Sequence, residues 1–193
     1  MSAPESTLTL SERPRSLVQL MARKGNEDSL AAAVKSALAL ELPPPGKWTA
    51  GAGVQAIGIE PRAWLLEAEP GDAFPERVSE TAANLGAAVD QSSGRAVIRL
   101  AGADARRALS TVCRLDLHPR AFGPGSSAAT RVAHVGCVIR LIDDVPSFDL
   151  IVGSTYARWL IEELVEAGHR FDLRFERAPA PHTSAMPASG TAP

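Results

Sequence analysis

The 193-residue chain carries 45% hydrophobic and 22% charged residues, an ordinary balance for a folded protein rather than a disordered one. Its net charge of −2 gives no electrostatic attraction for nucleic acid or an anionic membrane surface, so neither partner is expected. No apolar run approaches the roughly 18–20 residues that span a bilayer, no basic-then-apolar leader opens the chain, and the two cysteines cannot make a disulfide framework. A cytoplasmic protein with free, buried thiols is the expectation.

In chain order, residues 1–27 read as a mostly flexible segment, with one short apolar cluster, Leu17-Val18-Gln19-Leu20-Met21, able to serve as a docking segment. Asp28 or Ser29 is expected to cap a helix running to about Leu40, with Leu30, Val34 and Leu38 on one face. Leu42-Pro43-Pro44-Pro45-Gly46 ends it, because proline removes backbone donors and clashes with the preceding turn. Val54–Ile59 and Ala63–Ala68 are read as strands, followed by a helix from Phe74 to Leu85 that places Phe74, Val78, Ala82 and Leu85 together. Ala87–Asp90 and Arg95–Leu100 look like strands around the turn Gln91-Ser92-Ser93-Gly94. Ala103–Cys113 reads as a third helix.

The second half repeats this logic. Ala129 to Ile142 alternates as one long or two short strands, with Gly136 as bulge or break. Phe148–Val152 returns after a polar turn, and Ser154 or Thr155 caps a helix carrying Ala157, Leu160, Ile161 and Leu164, with Gly168 as its stop. Each half runs helix, Pro/Gly-rich loop, strand, turn, strand, helix. The fold class expected is α+β: two pseudo-repeated βαβ-type plaits, mostly antiparallel sheets covered by helices on one side. Residues 28–177 form this α+β domain. Residues 178–193, with four prolines and no Asp, Glu, Lys or Arg, form a tail expected to be disordered.

The run Leu115-Asp116-Leu117-His118-Pro119-Arg120-Ala121-Phe122-Gly123-Pro124-Gly125 resembles the Leu-Asp-Leu-His-Pro signature of the sarcosine oxidase gamma subunit family. Pro61-Arg62-Ala63-Trp64-Leu65-Leu66, Asp90-Gln91-Ser92-Ser93-Gly94-Arg95, Leu100-Ala101-Gly102, Thr130-Arg131-Val132-Ala133 and Phe148-Asp149-Leu150-Ile151-Val152 are similar to that family's segments in the same order, over roughly residues 48–171. The chain departs from the pattern at Ala129 and Gly153, where the family often has glutamine and arginine. The resemblance implies a gamma subunit with an aminomethyltransferase-like folate-binding fold inside a heterotetrameric oxidoreductase. In such an enzyme the partners are alpha, beta and delta subunits. NAD and tetrahydrofolate handling belong to alpha, FAD and FMN to beta, and zinc to delta. The assembly oxidatively demethylates sarcosine to glycine, with hydrogen peroxide and either formaldehyde or methylenetetrahydrofolate as products.

No catalytic, cofactor-binding or metal-binding residue is assigned to this chain. Cys113, Cys137, His118 and His134 are zinc-type donors, but their spacing matches no metal motif, and packed thiols with hydrogen-bonded histidines are the preferred reading. Asp116 and His118 could form an acid/base pair. The preferred reading is a rigid loop beginning at His118-Pro119, with Asp116 bonding backbone donors. Gly123-Pro124-Gly125-Ser126-Ser127 lacks the lysine of a phosphate loop and reads as a turn. Arg95 and Arg99 could meet an anionic folate tail, but a solvated or subunit-facing strand edge is preferred. Trp64, Tyr156 and Trp159 are expected as core or interface anchors. Two alternatives remain open: a stand-alone folate-binding or one-carbon-transfer protein, and the equivalent subunit of a related N-methyl amino acid dehydrogenase.

Overall fold

The computed structural model describes residues 8–71 and 73–176. The first strand, β1 (Thr9–Arg13), is followed by two units of the same element order. The first comprises β2 (Ser16–Ala22), α1 (Glu27–Leu38), β3 (Trp48–Ala50), β4 (Val54–Glu60), β5 (Ala63–Ala68), α2 (Phe74–Ala82) and β6 (Gly86–Asp90). The second comprises β7 (Arg95–Ala101), α3 (Ala105–Ser110), β8 (Ser127–Val132), β9 (Val135–Leu141), β10 (Ser147–Gly153), α4 (Ser154–Gly168) and β11 (Arg174–Glu176).

The sheets carry the duplication. One is five-stranded in the order β3-β4-β5-β2-β6, and the other is six-stranded in the order β11-β1-β7-β10-β9-β8. Corresponding strands occupy corresponding places, except that β1 is inserted between β7 and β11, antiparallel to the former and parallel to the latter. All other ladders are antiparallel.

Burial follows the two-residue period of the strands. Trp64, Leu66 and Ala68 of β5 pack with Leu30, Val34 and Leu38 of α1 and Phe74, Val78 and Ala82 of α2. Ile98, Leu100, Leu150 and Val152 pack likewise with Leu109 of α3 and Leu160 and Leu164 of α4. The alternate positions Leu17, Ile57 and Leu65 of the five-stranded sheet meet Val97, Val138 and Ile151 of the other. The layers are therefore helices, sheet, sheet, helices.

Three expectations are corrected. Residues 8–22 are not a flexible segment: β1 and β2 sit inside the two sheets, with Leu8, Leu10, Val18 and Leu20 at 0% exposure. Their partners lie between 42 residues away (Met21–Ala63) and 165 residues away (Thr9–Arg174), which leaves little local signal. β6 and β7 do lie either side of the Gln91–Gly94 turn, and because they belong to different sheets that turn is the crossing between units. The break between β8 and β9 falls at Ala133-His134, both at positive φ, while Gly136 stays in register opposite Arg131. β7 is flanked by β1 and β10 as far as Val97, so Arg99 does not lie on an edge; Arg95, two residues beyond the β1 ladder, pairs only with β10. Residues 1–7 and the proposed tail 178–193 lie outside the described residues.

Candidate functional site

Five charged side chains converge where the sheets face each other. Asp149 of β10 takes Arg99 in a two-pronged pair, Nε donating to Oδ1 at 2.7 Å and Nη2 to Oδ2 at 2.8 Å. Arg140 of β9 donates to the same Oδ2 from Nη2 at 2.7 Å and from Nε at 3.1 Å. Its Nη2 also reaches Glu67 of the opposite sheet at 2.7 Å. Arg15, in the short link between β1 and β2, lies 2.8 Å from Glu67 and also pairs with exposed Glu69. The Trp48 ring lies over Arg140 at 5.2 Å, and its Nε1 donates to the Leu141 carbonyl at 2.8 Å. Arg140 is fully buried, with Nη1 unpaired among the described residues.

The electrostatics follow from this geometry. Burial alone would raise the Asp149 pKa, but hydrogen bonds and charge from Arg99 and Arg140 outweigh it and hold the carboxyl below its ordinary range. The Asp149 hydrogen bond raises Arg99, whereas burial lowers Arg15 against the pull of Glu67. These charges are spent on one another, and the cluster acts as a latch between the two units. Sequence reasoning missed it. The available signal was a charge inside an apolar strand, as in Leu65-Leu66-Glu67-Ala68, Ile139-Arg140-Leu141 and Phe148-Asp149-Leu150, since such charges are buried only when paired.

The Leu115–Gly125 loop is held by its own polar side chains. Asp116 Oδ1 accepts the His118 backbone N–H at 2.9 Å, and His118 Nδ1 accepts that of Arg120 at 3.2 Å. Arg106 of α3 donates to the Leu117 and Phe122 carbonyls and lies 5.4 Å from the Phe148 ring centroid. Leu117 and Phe122 are buried beneath. Gly125 then accepts the Trp48 N–H at 3.1 Å, and Ser126 bridges to Lys47, tying the loop to the other unit.

Of the remaining candidates, Arg95 is half-buried on the inter-sheet face, and Trp64 is buried with Nε1 donating to the Pro43 carbonyl at 2.8 Å. Tyr156 and Trp159 stand out from α4 at 57% and 39% exposure. His134 is exposed in the β8–β9 turn, while Cys113 and Cys137 are buried free thiols in the core beneath the second pair of helices. Among the described residues no group of three His, Cys, Asp or Glu side chains could hold a metal ion. No described helix is long and apolar enough to cross a membrane.

Burial, with a smaller contribution from Cys113, pushes the Cys137 thiol from 9.0 up to about 12. The folded pKa lies above the unfolded one, so this group's stability contribution is intact below about pH 9 and is lost as pH rises toward 12. Native protein at pH 8 is therefore expected to leave Cys137 unmodified by a thiol-reactive disulfide reagent until urea unfolds it. Cys137→Ala is expected to flatten the loss of stability between pH 9 and 11. Rapid labelling of Cys137 in the folded protein contradicts this.

Comparison with known proteins places the chain. A family profile described as "Sarcosine oxidase, gamma subunit family" matches residues 23–169. The sarcosine oxidase subunit gamma of an Arthrobacter species is 35% identical over 107 residues, covering 54% of this chain and 53% of that protein. The matched region thus spans about half the length of that curated relative. A chain of the heterotetrameric sarcosine oxidase from Corynebacterium sp. U-96, solved with pyrrole 2-carboxylate, superposes with a TM-score of 0.78 at 26% identity, covering 88% of both chains. The glycine cleavage system aminomethyltransferase T of Bartonella henselae shares the fold at a TM-score of 0.65 and 15% identity, covering 89% of this chain and 48% of that one. The chain belongs to the sarcosine oxidase gamma subunit family.

Proposed function

We propose that this chain is the non-catalytic gamma subunit of a cytoplasmic heterotetrameric sarcosine oxidase, working beside alpha, beta and delta subunits. The assembled enzyme demethylates sarcosine to glycine, reducing oxygen to hydrogen peroxide and releasing the methyl carbon as formaldehyde or passing it to tetrahydrofolate. FAD, FMN, NAD, tetrahydrofolate and zinc belong to the partner subunits. What supports the reading most is the likeness over 88% of both chains to a chain of a heterotetrameric sarcosine oxidase. The chain's own contribution is a rigid duplicated scaffold, its polar groups engaged in the latch and in the His118 loop.

The test is co-expression with flavin-bearing subunits of a heterotetrameric sarcosine oxidase. A stoichiometric complex on size-exclusion chromatography, active with sarcosine, is the expected result, as is a colourless chain when it is purified alone. A well-behaved lone monomer, with full oxidase activity in its absence, overturns the assignment. Tight tetrahydrofolate binding by the lone chain turns the reading toward a stand-alone one-carbon protein.

His118→Ala separates scaffold from chemistry. It removes the acceptor for the Arg120 N–H, an expected cost of about 1 kcal/mol in folding stability. Turnover per assembled complex is expected to stay nearly intact. Loss of a general acid or base costs roughly 100- to 10,000-fold, and a drop of that size in a fully assembled complex rules out the scaffold role.

A further inference from the structure

The six-stranded sheet has a stretch of its inter-sheet face that the five-stranded sheet does not cover. Val97, Ile151 and Val138 form the last row packed against the opposite sheet. Two residues further along each strand, the next row reads Arg95, Gly153, Gly136, Arg131 across β7, β10, β9 and β8. The ladders pair Arg95 with Gly153 and Gly136 with Arg131, and the Val152–Cys137 pair immediately before brings the two glycines side by side. Two arginines therefore bank a floor of two residues with no side chains. Three strand spacings of about 4.8 Å put the banks roughly 14 Å apart at the backbone. An open groove of about 420 Å³ lies here, lined by Arg95, Ala129, Arg131, Gly136 and Val138 among others, with no Asp or Glu in its wall. Among the described residues neither arginine side chain has an ion pair or hydrogen bond. A Cβ built on Gly136 would meet nothing within 4 Å, whereas one on Gly153 would touch the Tyr156 ring at 3.5 Å. Tyr156, exposed, thus stands beside Gly153.

We propose that the Arg95–Gly153–Gly136–Arg131 groove, with Tyr156 beside Gly153, is a docking surface for an extended acidic segment of a partner subunit. This rests on the gamma-subunit reading and names the chemistry of the contact. Four features converge on that occupant. Among the described residues the two cations lack counter-charges, the open space over Gly136 admits a backbone at close range, and the span fits about four residues of extended chain at ~3.4 Å each. The fourth is that arginine and tyrosine are among the residue types that carry most binding energy at protein interfaces.

The experiment measures dissociation of the co-expressed complex against salt, for the wild-type chain, Gly136→Leu, and Arg95→Ala/Arg131→Ala. Gly136→Leu fills open space, so its thermal unfolding is expected to match wild type while its association weakens at least ~10-fold, since a bulky side chain excludes the docked backbone. The double arginine variant is expected to weaken association and flatten its salt dependence. Folded variants that assemble like wild type overturn the surface alone. A wild-type chain that fails to associate at all overturns the subunit reading, and this surface with it. Inorganic phosphate that raises the wild-type melting temperature through both arginines, with assembly unaffected by either variant, assigns the groove to a small anion and also overturns the proposal.

Discussion

Replacing Asp149 with alanine is expected to lower folding stability by about 3–5 kcal/mol, the cost of removing one partner from a buried ion pair. Asp149 is fully buried and accepts four hydrogen bonds from Arg99 and Arg140. Without it Arg140 keeps only Glu67, and Arg99 loses its anion. The net stability of a domain is about 5–15 kcal/mol, so the variant is expected to melt roughly 6–20 °C lower. Asp149→Asn keeps the shape and loses the charge, which isolates the pH dependence. Since the folded carboxyl titrates below its unfolded value near 3.9, its contribution is complete above about pH 5 and disappears as pH falls through the folded pKa. Asp90, held low by Ser92, and Glu41, held low by Lys35, are exposed and screened, so they contribute little to that acid limb. Urea titrations from pH 3 to pH 7 decide the point. A loss under about 1 kcal/mol for Asp149→Ala at pH 7 shows that the latch contributes little beyond packing.

Gly58→Ala is expected to cost about 3 kcal/mol although it adds a single methyl group, because the methyl has nowhere to go. A Cβ at Gly58 would sit against the backbone of Pro44 and Pro43, closer than real Cβ contacts come. That loop cannot easily retreat: Gly46 N–H donates to the Gly58 carbonyl at 3.2 Å, Gly58 N–H donates to Lys47 at 3.0 Å, and Trp64 holds Pro43. Lys47 and Trp48 carry the connection onward to Ser126, Gly125 and Leu141 of the second unit. Displacing the loop therefore loosens the junction between the units as well as β4. Hydrogen exchange is expected to show lost protection at the Lys47 and Trp48 amides, together with a lower urea midpoint. Wild-type protection at both amides with unchanged stability contradicts this reading.

Both substitutions act where the two units meet, which is where the linear sequence is least legible. Local periodicity was enough for the helices: Leu30, Val34 and Leu38, or Ala157, Leu160 and Leu164, recur at helical spacing because each helix buries one stripe. Alternation was enough for β4, β5 and β10, and the repeated order of elements was enough for a duplicated antiparallel plait. The Leu115–Gly125 loop was readable too, since Asp and His side chains that bond the backbone two residues on do so within their own turn.

Strand partners, by contrast, are chosen by the tertiary fold. Thr9–Arg13 has no strong pattern of its own, yet it forms an interior strand because Leu8 and Leu10 complete a core supplied by residues far along the chain. Arg99, read as an edge arginine, became half of a buried pair once β1 and β10 closed around β7. Glu67 and Arg140 lie 73 positions apart, and only the stacking of two sheets brings them to 2.7 Å. The same stacking decides which row of the six-stranded sheet stays uncovered, leaving Arg95 and Arg131 on either side of two glycines. Helical stripes, alternation and short turns are satisfied within a few residues, so local sequence determines them. A buried charge or an open groove exists only relative to the surface opposite it, which is why the latch and the groove emerge only in three dimensions.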